Sequence, residues 1–423
     1  GHRFEFFPAV SAGWVASSEK FWEPISKYIN HFKIRGSYGL VGSDAFASGA
    51  PHFLYQNNIG IGSAHNFWTG LPTSEISKKG PGFYVLAVQD AGWEHVKKFD
   101  IGFDMMLFNQ LNITFDYFHD KRERILMSRA SWPSMLGYWG SKPWSNIGEV
   151  ENQGFELSLN WTKQFGKDLT LDLRGNFTYN QNEYKYVDEP SYPYVWQTNT
   201  GKPLNTVKGY IAEGLFTSEE EIANSPDQSQ LGANIMPGDI KYRDINGDGQ
   251  MTTEDQVMIS SYDWHPRIQY GFGLNIVYKN FDLGVFFNGS AKRKTMINSG
   301  IAPFLSGGGD GEEGETLARN LMQWIADDHW SVDNPNPNAA YPRLGLTKAD
   351  VTNNIQPSTC WLRNGNFLRF KTLEIGYRLP YCRIYLSGDN LAVFSPFKLW
   401  DPELAWNAYP LSRTFNLGVQ FTF

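Results

Sequence analysis

The sequence predicts an all-β chain built as a transmembrane antiparallel β-barrel. Three observations carry that expectation: runs of strict apolar/polar alternation, links that alternate between short and long, and a last strand that is apolar on one face to its final residue. In "LNITFDYF" Leu111, Ile113, Phe115 and Tyr117 alternate with Asn112, Thr114 and Asp116, which puts the apolar side chains on one side of a strand. "FELSLNWT" repeats the pattern with Phe155, Leu157, Leu159 and Trp161. So do Leu169, Leu171, Leu173, Phe177 and Tyr179, and then Ile268, Tyr270, Phe272, Leu274, Ile276 and Tyr278. Each run suffices for a bilayer, which a tilted strand crosses in about 9 to 11 residues.

Composition agrees with this class. The 423 residues include 30 Phe, 21 Tyr, 15 Trp and 41 Gly, with 19% charged residues and a mean hydropathy of -0.42. No stretch approaches the ~20 consecutive apolar residues of a transmembrane helix, so a membrane-spanning form has to be a barrel. A net charge of -7 argues against nucleic acid as partner. There is no starting Met and no signal peptide, and "RFEFFPAVSAGW" already reads as a strand. The expectation is therefore the back part of a longer protein whose targeting segment lies elsewhere.

Eleven strands are expected, at about 3–16, 31–42, 97–107, 111–122, 147–163, 169–182, 266–279, 281–295, 361–379, 382–392 and 412–423. In the ninth the apolar set shifts from Leu368 and Phe370 to Leu373, Ile375 and Tyr377, which predicts a bulge near Lys371. Short links fall at 108–110, 164–168, 280 and 380–381, an intermediate one at 17–30, and long ones after Leu40, Arg122, Gln181, Thr295 and Ala392. Turns on one rim and large loops on the other is the layout of an outer-membrane barrel; a soluble sandwich has no reason to sort its loops this way. The last strand then runs to the periplasmic rim, so the long loops are extracellular and the C-terminus periplasmic. There Asn416, Gly418, Phe421 and Phe423 resemble the signal that barrel-assembly machinery reads, beside simple interface anchoring as the other use of a terminal aromatic. The two cysteines, Cys360 and Cys382, flank the ninth strand, which places them about 60 Å apart and unpaired.

Several stretches go beyond a generic barrel. "FPAVSAGWVASSEKFW", "FKIRGSYGLVG", "GWEHVKKFDIGFDMMLFNQLNITFDYFHDK", "NIGEVENQGFELSLNW", "PGDIKYRDINGDGQMTTEDQVMI", "NFLRFKTLEIGYRLP", "IYLSGDNLAVF" and "DPELAWNAYPLSRTFNLGVQFTF" resemble, in order, blocks of the SusC/RagA family of TonB-dependent outer-membrane transporters. The resemblance implies a 22-stranded barrel with an N-terminal plug, paired with a SusD-like surface lipoprotein. Eleven strands would be its C-terminal half, with plug, TonB-contacting segment and first barrel half absent from this chain.

"DINGDGQMTTED" is the sharpest local motif. Asp244, Asn246, Asp248, Gln250 (through its carbonyl), Thr252 and Asp255 stand at positions 1, 3, 5, 7, 9 and 12 of an EF-hand-type loop, and Gly249 takes the turn at position 6. That spacing predicts one structural calcium within an extracellular loop, against the alternative of a self-capping Asp/Asn/Gly turn. Asp255 is shorter than the usual Glu. Trp132, Tyr138, Trp139 and Trp144 crowd another long loop as a candidate sugar-stacking platform, with loop packing and lipoprotein contact as equal uses of the same rings. Lys292, Arg293 and Lys294 read as a solvated charge run, or as partners of outer-membrane lipid phosphates. "GETLARNLMQWIADDHW" reads as a helix with Leu317, Leu321 and Trp324 on one face, ended by Asp327, Asp328 and His329.

The expected function is TonB-dependent import of a large nutrient, with a glycan or oligosaccharide as cargo and peptide import as the alternative. The rival of a different class is a secreted, calcium-binding, β-rich glycosidase or carbohydrate-binding module. No pair of carboxylates at an identifying spacing supports that enzyme.

Overall fold

The computed structural model describes residues 4–44, 53–71, 74–88, 91–133, 142–298, 321–345, 348–404 and 408–422. Its main feature is an eleven-stranded antiparallel sheet in which every strand pairs with its neighbour in sequence. We number these strands β1 (Ala9–Val15), β2 (Ile29–Ser43), β3 (Glu94–Leu107), β4 (Leu111–Ser128), β5 (Trp144–Phe165), β6 (Leu169–Tyr186), β7 (Ile268–Tyr278), β8 (Phe281–Ala291), β9 (Phe367–Arg378), β10 (Cys382–Phe394) and β11 (Thr414–Phe421). All eleven expected strands are present. The links at 108–110, 166–168, 279–280 and 379–381 are tight, and the others from 44 onward are long. Three of the four tight links turn through left-handed residues, Phe108 and Asn109 at φ 54° and 55°, Gly166 at φ 63° and Lys279 at φ 53°, the backbone that tight hairpins favour.

The chain forms two compact units, residues 1–162, 178–193 and 198–204 in one, and 163–177, 194–197 and 205–423 in the other. In the first, cross-strand pairing lines up Ile34, Phe103, Phe115 and Leu157 on one face. One residue along, Arg35, Gly102, Asp116 and Glu156 line up on the opposite face. A slip of one residue would exchange these sets, so the alternation read from the sequence fixes the register. On the apolar face Phe103 and Phe115 stack with centroids 5.5 Å apart, and Phe115 meets Phe155 at 6.1 Å. On the charged face Arg35 meets three carboxylates, Asp104 at 3.3 Å, Asp116 at 2.5 Å and Asp100 at 3.7 Å.

The second unit repeats the rule. Phe272, Phe287 and Phe370 form one apolar row, stacked at 5.2 and 4.7 Å, while Gly271, Asn288 and Arg369 form the polar row beside it. The expected bulge is at Lys371: the register of β9 shifts between Phe370 and Thr372 against β10, where Asn390 is left-handed at φ 55°. Lys371 Nζ reaches Asn390 Oδ1 at 3.2 Å across that irregularity, and the extra residue moves the apolar set to the other parity.

Three expectations are corrected. The first strand starts at Ala9 rather than residue 3, and the link to β2 contains 3-10 turns at Ala16–Ser18 and Lys20–Ile25. The predicted strands 281–295 and 361–379 are each interrupted: β8 ends at Ala291, Lys292 turns at φ 51°, and Lys294–Met296 pairs instead with Leu362–Asn364 in a separate ribbon. Arg293 is therefore not part of a solvated charge run. It is 5% exposed, with its guanidinium 5.9 Å from the centre of the Phe367 ring. The sequence also gave no warning of a hairpin between Asn58–Leu71 and Ser74–Val85.

Candidate functional site in the long loops

The long loops of the second unit have a hydrophobic core of their own. Tyr210, Leu231, Ile240, Tyr242, Met251, Ile297, Ile325, Tyr341, Val351, Trp361 and Phe397 are buried together. They come from three links, so the core closes only when distant segments meet. Several polar side chains inside it bond between its segments. Gln228 donates to Ile240 O at 3.0 Å and to Asn353 Oδ1 at 2.9 Å, and its own oxygen accepts the Tyr242 amide at 2.8 Å. Tyr242 donates its hydroxyl to Asn353 O at 2.8 Å, and Trp361 its indole N–H to Asn354 O at 2.7 Å. Asp239, fully buried, takes Asn354 Nδ2 at 2.7 Å and Arg343 Nε at 2.7 Å. Burial outweighs the charge of Arg343 and the bonds from Met236, Arg343 and Asn354, and pushes the Asp239 carboxyl above the usual aspartate range. Cys360 sits against this core, and burial pushes its thiol up to about 11, so it is an inert packing group. Both cysteines are free, as expected.

The 244–255 loop lies in this unit. Asp244 accepts the amides of Gly247 at 2.7 Å and Gly249 at 2.8 Å, and both glycines are left-handed, at φ 78° and 81°. Asp248 accepts Gln250 N at 2.8 Å, while Asn246 accepts Asp248 N at 3.0 Å and donates to Asp248 Oδ2 at 3.0 Å. Each of these oxygens keeps a lone pair, so Asp244, Asn246 and Asp248 still offer hard donors on one exposed turn. Asp255 departs from that pattern. It is fully buried and accepts Ile245 N at 2.9 Å and Thr252 N at 2.8 Å, closing a capping box over Thr253–Asp255. Among the described residues no three His, Cys, Asp or Glu side chains come together as a metal shell. The side-chain oxygens of Asp244, Asn246 and Asp248 are thus gathered on one exposed turn, and those of Asp255 are bonded to amides beneath it. Trp196 fastens the loop from outside, donating to Glu254 O at 2.7 Å.

In the first unit Trp132 lies in a turn held by Asp188, and Trp144 opens β5 opposite Ser128. Tyr138 and Trp139 lie outside the described residues. Asp188, 6% exposed, accepts the amide and hydroxyl of Ser131, each at 2.9 Å, and meets Arg129 at 3.3 Å. Burial alone would raise this carboxyl; the bonds from Ser131 and the charge of Arg129 outweigh it and hold the group below the usual aspartate range. Of the expected helix at 314–330 the described part is Gln323–Ala326, and His329 Nδ1 reaches back to Ala326 O at 2.9 Å as an end cap, as expected. In β11, Asn416 pairs with Ser387 and Gly418 with Tyr385, whose ring occupies the space a Cβ on Gly418 would need. Phe421 is 62% exposed on the apolar side, and Phe423 lies outside the described residues. The buried loop core and its Gln228, Asn353 and Asn354 network are what sequence reasoning missed; the only advance signal was the density of Trp and Tyr outside the alternating runs.

An antiparallel meander with one apolar and one charged face and tight turns at alternate links defines part of a membrane β-barrel. No helix among the described residues is long and apolar enough to cross a membrane. Residues 2–391 match the family described as TonB dependent receptor-like, beta-barrel. The chain belongs to that family. TonB-dependent receptor P3 of Formosa agariphila is 26% identical over 100% of this chain and 42% of its own length. TonB-dependent receptor SusC of Bacteroides thetaiotaomicron is 24% identical over 100% of this chain and 40% of its own. A chain of the RagAB peptide transporter superposes with a TM-score of 0.70 at 21% identity, covering 99% of this chain and 43% of that one. The chain therefore spans about two fifths of the length of the curated relatives it matches. With the family established, the apolar face is the lipid face and the charged face is luminal.

Proposed function

We propose that this chain is the C-terminal half of the barrel of a transporter that imports a large nutrient across the outer membrane, energised through TonB and working with a SusD-like surface lipoprotein. The observation that carries this reading is the sorting of the sheet: lipid-side rows of Phe and Leu, luminal rows of Arg, Asp, Glu and Asn, and tight turns confined to alternate links. In this reading the long loops are extracellular, the C-terminus periplasmic, and Asn416, Gly418, Phe421 and Phe423 the contact for barrel-assembly machinery. A glycan or oligosaccharide is the cargo. Peptide import is the second reading, favoured by the fold shared with the RagAB peptide transporter. Deleting the full-length gene should abolish growth on one nutrient class, and growth lost on peptides but not glycans would replace the first cargo with the second. A secreted enzyme would purify without detergent and cleave sugar, which this reading excludes.

The same reading gives the 244–255 loop one structural calcium, held by Asp244, Asn246, Asp248, the Gln250 carbonyl and Thr252. The ion would supply cross-linking of hard oxygens and nothing catalytic. Chelation, or the double change Asp244→Ala and Asp248→Ala, should raise protease nicking between residues 225 and 260 while the barrel stays intact. Unchanged cleavage under chelator would leave a self-capped turn.

A further inference from the structure

The tight-turn rim of the second unit carries cations that the protein leaves unpaired. Two turns meet there, 166–168 between β5 and β6 and 279–280 between β7 and β8, and the Lys279 amide donates to Asp168 O at 2.8 Å. From Lys163 to Leu169 and from Tyr278 to Phe281 the charged residues are Lys163, Lys167 and Lys279 against one carboxylate, Asp168. Among the described residues none of these three lysines makes a side-chain hydrogen bond or ion pair. Two of them lie over rings instead: Lys163 Nζ is 5.2 Å from the centre of Phe165, and Lys279 Nζ 5.5 Å from that of Tyr278. Lys279 is also left-handed at φ 53°, a backbone that glycine adopts without strain and lysine does not.

Lysines on the lipid-facing parity of the first unit have carboxylates built beside them. Lys97 and Lys121, in step with Phe103 and Phe115, share Glu123 at 2.6 and 2.7 Å, and Lys121 also meets Glu149 at 3.3 Å. The protein thus supplies the counter-charge for these lysines and leaves it to the surroundings for Lys163 and Lys279. At the second rim the chemistry also changes in a fixed order along the strands. Ile276 and Leu283, paired across β7 and β8, are aliphatic. The next pair on that face, Tyr278 and Phe281, are rings 50% and 58% exposed, and Phe281 meets the Tyr377 ring at 4.7 Å. The cations come last. Hydrocarbon, ring and cation match in order the acyl chain, glycerol backbone and phosphate of a phospholipid, whereas a soluble anion matches only the last. We propose that these turns are a binding site for an anionic glycerophospholipid, with its phosphate held by Lys163 and Lys279 and its acyl chains along the Ile276 and Leu283 row. In the orientation proposed above the lipid belongs to the periplasmic leaflet, and the site rests on that reading for the leaflet alone.

The test uses the full-length transporter, extracted in neutral detergent and incubated with equal amounts of phosphatidylglycerol and phosphatidylethanolamine of the same acyl chains. Retained lipid is read by native mass spectrometry. Phosphatidylglycerol should be preferred about twentyfold, Lys163→Gln and Lys279→Gly should each lower the preference about fivefold, and the double variant should remove it. Lys279→Gly also relieves the left-handed strain, so its barrel should be at least as stable as the wild type, with heat-modifiable migration as the check on folding. Lys163→Arg keeps the charge and should keep the preference. Lys97→Gln removes a lysine that the protein already pairs, and should leave the preference unchanged. Equal retention of the two lipids by the wild type, an unchanged preference in the double variant, or a loss in Lys97→Gln as large as that in Lys163→Gln overturns the site. The readout is bound lipid and not uptake, so any of those results leaves the transport reading standing.

Discussion

Strands β7–β11 and the loop core of the same unit are both held by aromatic residues, yet they solve opposite problems. In the strands the rings sit outside: Phe272 is 46% exposed and Phe415 65%, because the solvent on that side is lipid. In the loops the rings sit inside: Trp361 and Tyr242 are 0% and 1% exposed, with every polar edge bonded to a neighbouring segment. Burial away from water drives the loop core, as in a small soluble domain. Strand association in the membrane depends instead on backbone pairing and ring-on-ring contact, each stacked pair worth about 0.5 to 1.5 kcal/mol.

The difference is sharpest under substitution. Trp361→Ala should be the most damaging single change, costing the loop core about 3 to 5 kcal/mol through the cavity and the orphaned Asn354 carbonyl. It should expose residues 205–263 and 348–361 to protease while the barrel still shows heat-modifiable migration. Loss of both together would mean that the two regions are one cooperative structure. Next come Leu159→Arg and Leu274→Arg on the lipid face, about 2 to 4 kcal/mol each near the bilayer midplane, read as lowered assembly in the outer membrane. Asn160→Ala and Asn275→Ala on the luminal face should barely change it, and equal tolerance of both sets would contradict the assignment of the faces. Phe423→Ser should slow insertion of the full-length protein, and normal insertion would remove the assembly role given to the last strand.

The smallest effect concerns a loop anchor. Asp188→Ala should cost about 1 to 3 kcal/mol locally and free the turn that carries Trp132. Because the folded carboxyl lies below its unfolded value, its contribution is complete above about pH 4 and is lost as pH falls through the lowered folded value. Hydrogen exchange at Ser131 should therefore speed up on acidification, and should be insensitive to acid in the Asp188→Ala variant.

The sequence by itself determined the eleven strands, their order, their two faces and the bulge at Lys371, because lipid on one side and water on the other write a period of two into local sequence. It also placed the Asp244 turn, whose bonds span only a few residues. Tertiary structure alone decided that Arg293 is buried against Phe367, and that Asp255 is buried and accepts the amides of Ile245 and Thr252. It alone decided that Tyr210, Ile240, Ile325, Trp361 and Phe397 share one core. Those contacts join residues far apart in the chain with no repeat between them. Closing such loops costs entropy that only the assembled core repays, so no local stretch of sequence records the outcome.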